Sequence, residues 1–333
     1  MKKDKVDAGF EQLESIASGF RASQVLFTAV RLRLFDALKN GQKNAEQLAK
    51  IVGADSRGIT ILCNALAGLD LIKKHGNSYG LSLLARKYLL TDSPYSQQAI
   101  WLHNAALYEK WGKLFDVVKT GKPIQWDEVS KDLQADEQSF ARAMASTASF
   151  LARETAEAID LSNTKTMLDI GGGPGIYAIE FAKRQPELKV TVMDNAPTLE
   201  VARENIKKAG LLDRIELKPG NALTDDLGAS YDLILMSNVI HQYSNEENTK
   251  LIKRAARALN SGGKLLIKDF ILNPCRTKPI KASLFAINML VNTEKGNCYT
   301  VDDIKAWFKS AALKPSRVII FQSPTKIVIG RKK

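Results

Sequence analysis

The stretch Leu168-Asp169-Ile170-Gly171-Gly172-Gly173-Pro174-Gly175 sets a glycine cluster after a short apolar run. Glycines there let a backbone approach a ligand closely, and the start of a following helix offers free N–H donors. The sixth position of the dinucleotide pattern is Ile176, not glycine, so the pyrophosphate fingerprint is incomplete. Asp169 would repel a pyrophosphate and suits a cationic ligand. Asp194, in Val192-Met193-Asp194-Asn195, can accept from both hydroxyls of a ribose. Its bland alternative is a loop or helix cap. Gly220-Asn221-Ala222 stands where an adenine amino group would be held. Met236-Ser237-Asn238-Val239-Ile240-His241 closes a fourth apolar run. The chain has three histidines, His75, His103 and His241, and His241 alone follows that run. An unperturbed imidazole titrates near ~6.5 and is mostly neutral at pH 7, as a general base must be. These residues point to a nucleoside ligand carrying positive charge, with a base beside it.

The elements that must position them follow from Lys165 onward. Strands are expected at Thr166–Ile170, Lys189–Met193, Ile215–Leu217, Tyr231–Ser237, Lys264–Leu272, Arg317–Gln322 and Lys326–Gly330. Helices are expected at Gly175–Arg184, Thr198–Gly210, Glu246–Leu259 and Val301–Ala312. The alternation predicts an α/β domain with a largely parallel sheet covered on both faces. Ser323-Pro324-Thr325 is too short for a crossover, so the final strand must run antiparallel to its neighbour. In such sheets ligands bind outside the carboxyl ends of the strands, at the switch point. Asp169, the glycines, Asp194, Asn221, Ala222, Ser237 and Asn238 all reach that edge.

The N-terminal part reads as helix, turn, helix, wing. A helix is expected over Gln24–Leu38, a second from an Asn44 cap to Val52, and a third over Arg57–Leu69 capped by Asp55 or Ser56. Leu71–Leu81 reads as strand, Gly-Asn turn, strand. This pattern raises DNA binding. The third helix, however, offers Arg57, Thr60 and Asn64 among Ile59, Ile61, Leu62, Leu66 and Leu69, a face suited to burial rather than to a groove. Gln97–Leu161 is mostly helical and rich in aromatics. These are core, or they line a pocket for a flat apolar ligand.

The 333 residues carry 48 Lys and Arg against 36 Asp and Glu, a net charge of +12. Basic residues are interleaved with acids, so the expectation is a solvated surface and no nucleic-acid partner. The longest apolar stretch, Leu284–Val291, is too short to cross a bilayer, and Met1–Lys5 does not open a signal peptide. Cys63, Cys275 and Cys298 are widely spaced, with no metal-ligand pattern and no disulfide framework. A cytoplasmic protein with free thiols, no metal and no membrane insertion is expected.

The residues Asp169–Gly175, Asp194 and His241 resemble class I S-adenosylmethionine-dependent methyltransferases. More narrowly, the chain is similar to the caffeic acid and acetylserotonin O-methyltransferase-like group, with its bacterial hydroxyneurosporene and antibiotic O-methyltransferases. Leu107-Tyr108-Glu109-Lys110-Trp111 and Asn288-Met289-Leu290-Val291 share in the resemblance, which covers nearly the whole chain. It implies a Rossmann-like seven-stranded methyltransferase sheet with its last strand antiparallel, preceded by an all-helical winged-helix dimerisation domain. The implied domains are 1–100 for dimerisation, a helical linker over 101–163 and the cofactor domain over 164–333. S-adenosylmethionine is the implied cofactor, with its methionine end on Gly171, Gly172 and Gly173 and its ribose on Asp194. The group's Gly-Asp at the adenine is Gly220-Asn221 here, and the Asn221 carbonyl can still accept. A homodimer and a small-molecule acceptor are implied. The acceptor pocket is expected to draw on Trp101, His103, Trp111, Phe140, Met144, Phe285, Asn288, Met289 and Asn292.

In the group the base lies in a His-Asp-Trp-Ser motif, and a Glu supports it. Here the first reads His241-Gln242-Tyr243-Ser244, and Cys298 occupies the Glu position in Gly296-Asn297-Cys298-Tyr299-Thr300. Without that carboxylate the imidazolium would be less stabilised, and Glu294 is the nearest substitute in sequence. O-methylation of a small aromatic or polyene-like hydroxyl, with His241 as base, is the first reading. The second is C-methylation of a tetrapyrrole-like pigment, since bacteriochlorophyllide methyltransferases carry a Tyr near Tyr243. A ligand-responsive winged-helix regulator and a nicotinamide-dependent dehydrogenase are the alternatives from other classes. Ile176 argues against the dehydrogenase.

Overall fold

The computed structural model describes residues 7–134, 136–321, 323 and 325–333. It forms two compact units, Met1–Tyr108 and Glu109–Lys333. Among the described residues no helix is long and apolar enough to cross a membrane.

The first unit holds α1 (Ala8–Ser18), α2 (Phe20–Arg31), α3 (Leu34–Ala37), β1 (Lys43–Asn44), α4 (Ala45–Val52), α5 (Ser56–Gly68), β2 (Ile72–His75), β3 (Ser78–Leu81) and α6 (Leu83–Tyr88). The single helix expected over Gln24–Leu38 is broken. Arg33 adopts a left-handed conformation (φ 53°), and the new phase turns Leu34, Phe35 and Leu38 into the core. Asn44 and Gln47 form a capping box that starts α4, and Gly53 ends it in a left-handed turn. Asp55, not Ser56, caps α5, its Oδ1 accepting from the Gly58 N–H at 2.7 Å. The β2–β3 hairpin turns at Gly76-Asn77, and β1 adds a third strand through Lys43↔Tyr79. The wing is thus a small sheet beside an otherwise helical module.

The second unit holds α7 from Glu109 on (the helix spans Gln98–Trp111), α8 (Leu114–Thr120), α9 (Glu137–Ala148) and α10 (Ala152–Glu157). Then follow β4 (Thr166–Ile170), α11 (Ile176–Arg184), β5 (Lys189–Asp194), α12 (Ala196–Lys208), β6 (Ile215–Pro219), β7 (Tyr231–Ser237), α13 (Asn245–Ala258) and β8 (Leu259–Phe270). Last come α14 (Ile280–Asn292), α15 (Val301–Ser310), β9 (Leu313–Ile320) and β10 (Thr325–Lys332). Gln322 and Pro324, at the expected hairpin, lie outside the described residues. The sheet order is β6-β5-β4-β7-β8-β10-β9. Strands β6 to β8 are parallel, and β10 runs antiparallel to both β8 and β9. The order reverses between β4 and β7, which makes their carboxyl ends the switch point.

Alternation along the strands builds two apolar layers. Leu168, Ile170, Ile234, Met236, Leu265 and Ile267 enter one layer. Met167, Leu233, Leu235 and Leu266 enter the other, with Tyr177, Ala178 and Phe181 of α11. The period of two therefore decides which face each polar residue at the strand ends must occupy.

At the other end of the sheet Asp232 ties three strands together. Its Oδ2 accepts from the N–H groups of Lys165 (2.9 Å) and Thr166 (3.1 Å), and its Oδ1 from Asn260 Nδ2 (2.7 Å). Burial alone would raise this carboxyl, but the bonds from Asn260, Lys165 and Thr166 outweigh it and hold it below the usual range. Its folded value is depressed, so the stability it contributes is present above about pH 4 and lost as pH falls below that. Asp232→Ala should cost about 1–3 kcal/mol in urea unfolding at pH 7 and less at pH 3. A cost independent of pH would contradict this role.

Candidate active site

Strand β4 delivers Asp169 to the α11 face, one residue before the chain leaves the sheet. Asp169 is 1% exposed, and neither carboxylate oxygen has a hydrogen-bond partner. Burial first, and the charge of Asp194 second, push its carboxyl up to about 8. The Ala178 N–H at the start of α11 lowers the value in part. The glycine loop then bends over β5. Gly171 is left-handed (φ 63°), and a Cβ there would lie 2.7 Å from Val239 Cγ2. The N–H groups of Gly171 and Gly172 donate to the Met193 carbonyl at 2.8 and 3.3 Å. The Gly173 N–H donates to Asp194 Oδ2 at 2.9 Å, and the Asn195 N–H to Oδ1 at 2.8 Å. Burial raises the Asp194 carboxyl, and these two bonds offset part of that.

Beyond β6, Asn221 closes a tight turn. Its Oδ1 accepts from the Leu223 N–H at 2.9 Å, and its own N–H donates to Asp225 Oδ2 at 2.9 Å. The oxygen keeps one lone pair for a ligand. Asp225 was not evident from the motif. The Ala222 carbonyl accepts from Arg254 Nε at 3.1 Å. On the far side of β4, Ser237 ends β7 and Asn238 turns left-handed (φ 58°), its N–H donating to the Lys268 carbonyl at 2.8 Å.

His241 lies in a short turn after β7 and is buried. Its Nδ1 stands 2.8 Å from Asp269 Oδ1. A carboxylate accepts at this contact, so a neutral imidazole bonded to it carries its proton on Nδ1 and leaves Nε2 bare. Asp269 Oδ1 also accepts from the Phe270 N–H at 2.8 Å. A carboxylate from β8 therefore meets the imidazole, where position 298 offers a thiol. Cys298 itself is buried, its thiol pushed up to about 12 by burial and then by Asp269. Glu294 is exposed. The signal for Asp269 was present: Lys268-Asp269 interrupts the apolar run of β8. Gly296 is needed too, because a Cβ there would lie 2.5 Å from the His241 carbonyl oxygen.

The expected pocket residues separate into groups. The Phe285 ring meets His241 edge-on (4.9 Å, 88°) and stacks on Phe270 (4.0 Å, 22°). Trp111 Nε1 donates to Asn288 Oδ1 at 2.9 Å, and Lys110 Nζ to Asn292 Oδ1 at 3.0 Å. Lys110 is buried over the Trp126 ring, 4.1 Å from its centroid, and burial pushes its ammonium down to about 8. Met289 is buried on the same helix, α14. Phe140 and Met144 lie on α9, which packs on α12 and α11, and Phe140 is exposed. Trp101 and His103 belong to the first unit, where Trp101 packs against the core.

Asp169 Oδ1 and Oδ2, Ser237 Oγ, Asn238 Oδ1, Lys268 Nζ and Asp269 Oδ2 are all buried without a hydrogen-bond partner among the described residues. Each such group costs about 1–3 kcal/mol, so their clustering at one strand edge signals a ligand. An adenosine carrying a sulfonium fits. Asp194 and Asn221 would take the ribose and adenine, the glycine loop would pass beneath, and Asp169 would face the positive end.

Relatives and solved structures agree. Residues 105–314 match the O-methyltransferase domain model, and residues 14–91 match the O-methyltransferase dimerisation domain model. The chain is 29% identical to a 3-hydroxy-5-methyl-1-naphthoate 3-O-methyltransferase of Streptomyces sahachiroi, over 94% of this chain and 92% of the relative. It is 31% identical to the acetylserotonin O-methyltransferase of Mus musculus, over 85% and 78%. The crystal structure of human N-acetylserotonin methyltransferase in complex with S-adenosylmethionine superposes with a TM-score of 0.87 at 27% identity, over 100% of this chain and 99% of that one. With a glycine loop, two acidic strand ends and both family domains in place, the chain belongs to the S-adenosylmethionine-dependent O-methyltransferases.

Proposed function

We propose that this enzyme methylates a hydroxyl group of a small aromatic or polyene-like molecule, with His241 as the general base. The observation that carries this reading is the buried Asp269–His241 pair with Phe285 against the imidazole. S-adenosylmethionine supplies an electrophilic methyl group on a positive sulfur. Asp269 holds Nδ1–H and stabilises the imidazolium that forms when Nε2 takes the hydroxyl proton. The stacked Phe270 and Phe285 offer a flat apolar wall that orients a planar acceptor and excludes water. Two relatives are named for a hydroxynaphthoate and for acetylserotonin, both aromatic. An activated carbon acceptor would not need a carboxylate-held imidazole. DNA reading is not favoured, because Asn64 of α5 accepts from Lys74 Nζ (2.8 Å) and the Tyr79 hydroxyl (2.9 Å) within the module.

We also infer a homodimer through the first unit. Helix α1 buries none of its residues and exposes Phe10, Leu13 and Ile16. That apolar stripe calls for a partner, and the matched dimerisation domain points to a second copy.

A labelled-methyl assay over phenols and polyenes, with the methylated atom located by NMR, tests the chemistry. His241→Ala should lower kcat by roughly 10²–10⁴-fold, and Asp269→Asn should also lower it by favouring the wrong tautomer, with cofactor affinity within about threefold. Unchanged turnover would remove His241 as base. In sedimentation at micromolar concentration the native chain should be dimeric, and the Leu13→Glu, Ile16→Glu double variant monomeric. A monomeric native chain would overturn the dimer.

A further inference from the structure

Lys268 has no role in the chemistry just described. It lies two residues before the end of β8, after the apolar run Leu265–Ile267, is 1% exposed, and its Nζ has no hydrogen-bond partner. The ammonium sits over the Tyr177 ring, 5.4 Å from its centroid. Such a contact is a modest attraction. It does not offset the burial of a charge with three unmet donors.

The neighbours tell what is wanted. Lys268 is paired in register with Ser237, whose Oγ is also buried and unpartnered. Both side chains fall on the α11 face, the face of Leu235 and Leu266. Asp169 faces the same helix from β4, two strands away and two residues back in register, a backbone separation of roughly 12 Å. Among the described residues no carboxylate lies within ion-pair distance of Lys268. One face of the sheet edge therefore presents, in order, an acceptor for a cation, a hydroxyl and a cation.

The ligand's direction follows from Asp194. A ribose held at the end of β5 leaves adenine toward β6, so the rest of the molecule must run over the glycine loop toward β7 and β8. That remainder is a sulfonium followed by a zwitterionic amino-acid tail. We propose that Lys268, with Ser237 beside it, binds the carboxylate of this tail, while Asp169 faces its positive groups. The charges then match: two acids and one lysine carry one net negative charge, and the cofactor carries one net positive charge. The inference rests on the cofactor and not on the identity of the acceptor.

Calorimetry with S-adenosylhomocysteine and its decarboxylated analogue tests it on the whole enzyme. The native protein should bind the carboxylate-bearing ligand about 10- to 100-fold more tightly, as expected for a charge-assisted hydrogen bond. In Lys268→Met that preference should fall to within about threefold, with affinity for the decarboxylated ligand little changed. Lys268→Arg, which keeps the charge, should retain part of it. A native protein that binds the two ligands equally overturns the proposal without any variant, and so does a Lys268→Met protein that keeps the native preference. Normal carboxylate preference with no methylation of any phenol or polyene would leave this proposal standing and sink the acceptor reading instead.

Discussion

A carboxyl group shut away from water with no hydrogen bond is the constraint on which the site depends. Asp169 is placed by strand alternation, covered by α11 and approached so closely by Gly172 that a Cβ there would lie 2.8 Å from its Cγ. Water cannot solvate it, and Asp194 adds a second negative charge nearby. A positive ligand relieves both costs at once. Without one, Asp169 keeps its proton up to about pH 8. From about pH 4 to that value the folded chain holds one more proton here than the unfolded chain, so stability falls as pH rises. A sulfonium reverses that preference by favouring the ionised form. A buried acid at a strand end favours a cationic ligand over a pyrophosphate.

The sheet divides the remaining work between its two faces. Lys268 and Asp269 are consecutive, and consecutive strand residues point to opposite sides. Lys268 meets Tyr177 on the α11 side, while Asp269 meets His241 on the other. One pair of residues thus reaches both faces of the sheet. Helix α14 completes the second face. Its Asn288 and Asn292 are held by Trp111 and Lys110, and the same helix carries Phe285 to the imidazole. Phe285 and His241 are thus held through separate contacts.

Much of this was legible in the sequence. The strands expected at Thr166–Ile170 and Tyr231–Ser237 have those boundaries, and the caps at Asn44 and Asp55 start their helices. Other features were hidden because they depend on distant residues. The break at Arg33 is a tertiary choice that reorients Leu34 and Phe35, overriding a continuous helical pattern. Local motifs point to position 298 or Glu294 for the support of His241. It comes instead from Asp269, 28 residues away in sequence and beside it only once β7 and β8 pair. Gly296 reads as an ordinary loop glycine until the His241 carbonyl is placed against it.

A positive sulfur at the strand edge should turn the buried, protonated Asp169 into an ionised partner, and counting the protons released when S-adenosylmethionine binds checks this. Calorimetry at pH 7, in buffers of differing ionisation enthalpy, should show release approaching about one proton more from the native enzyme than from Asp169→Asn. Equal proton release from the two proteins would contradict the account.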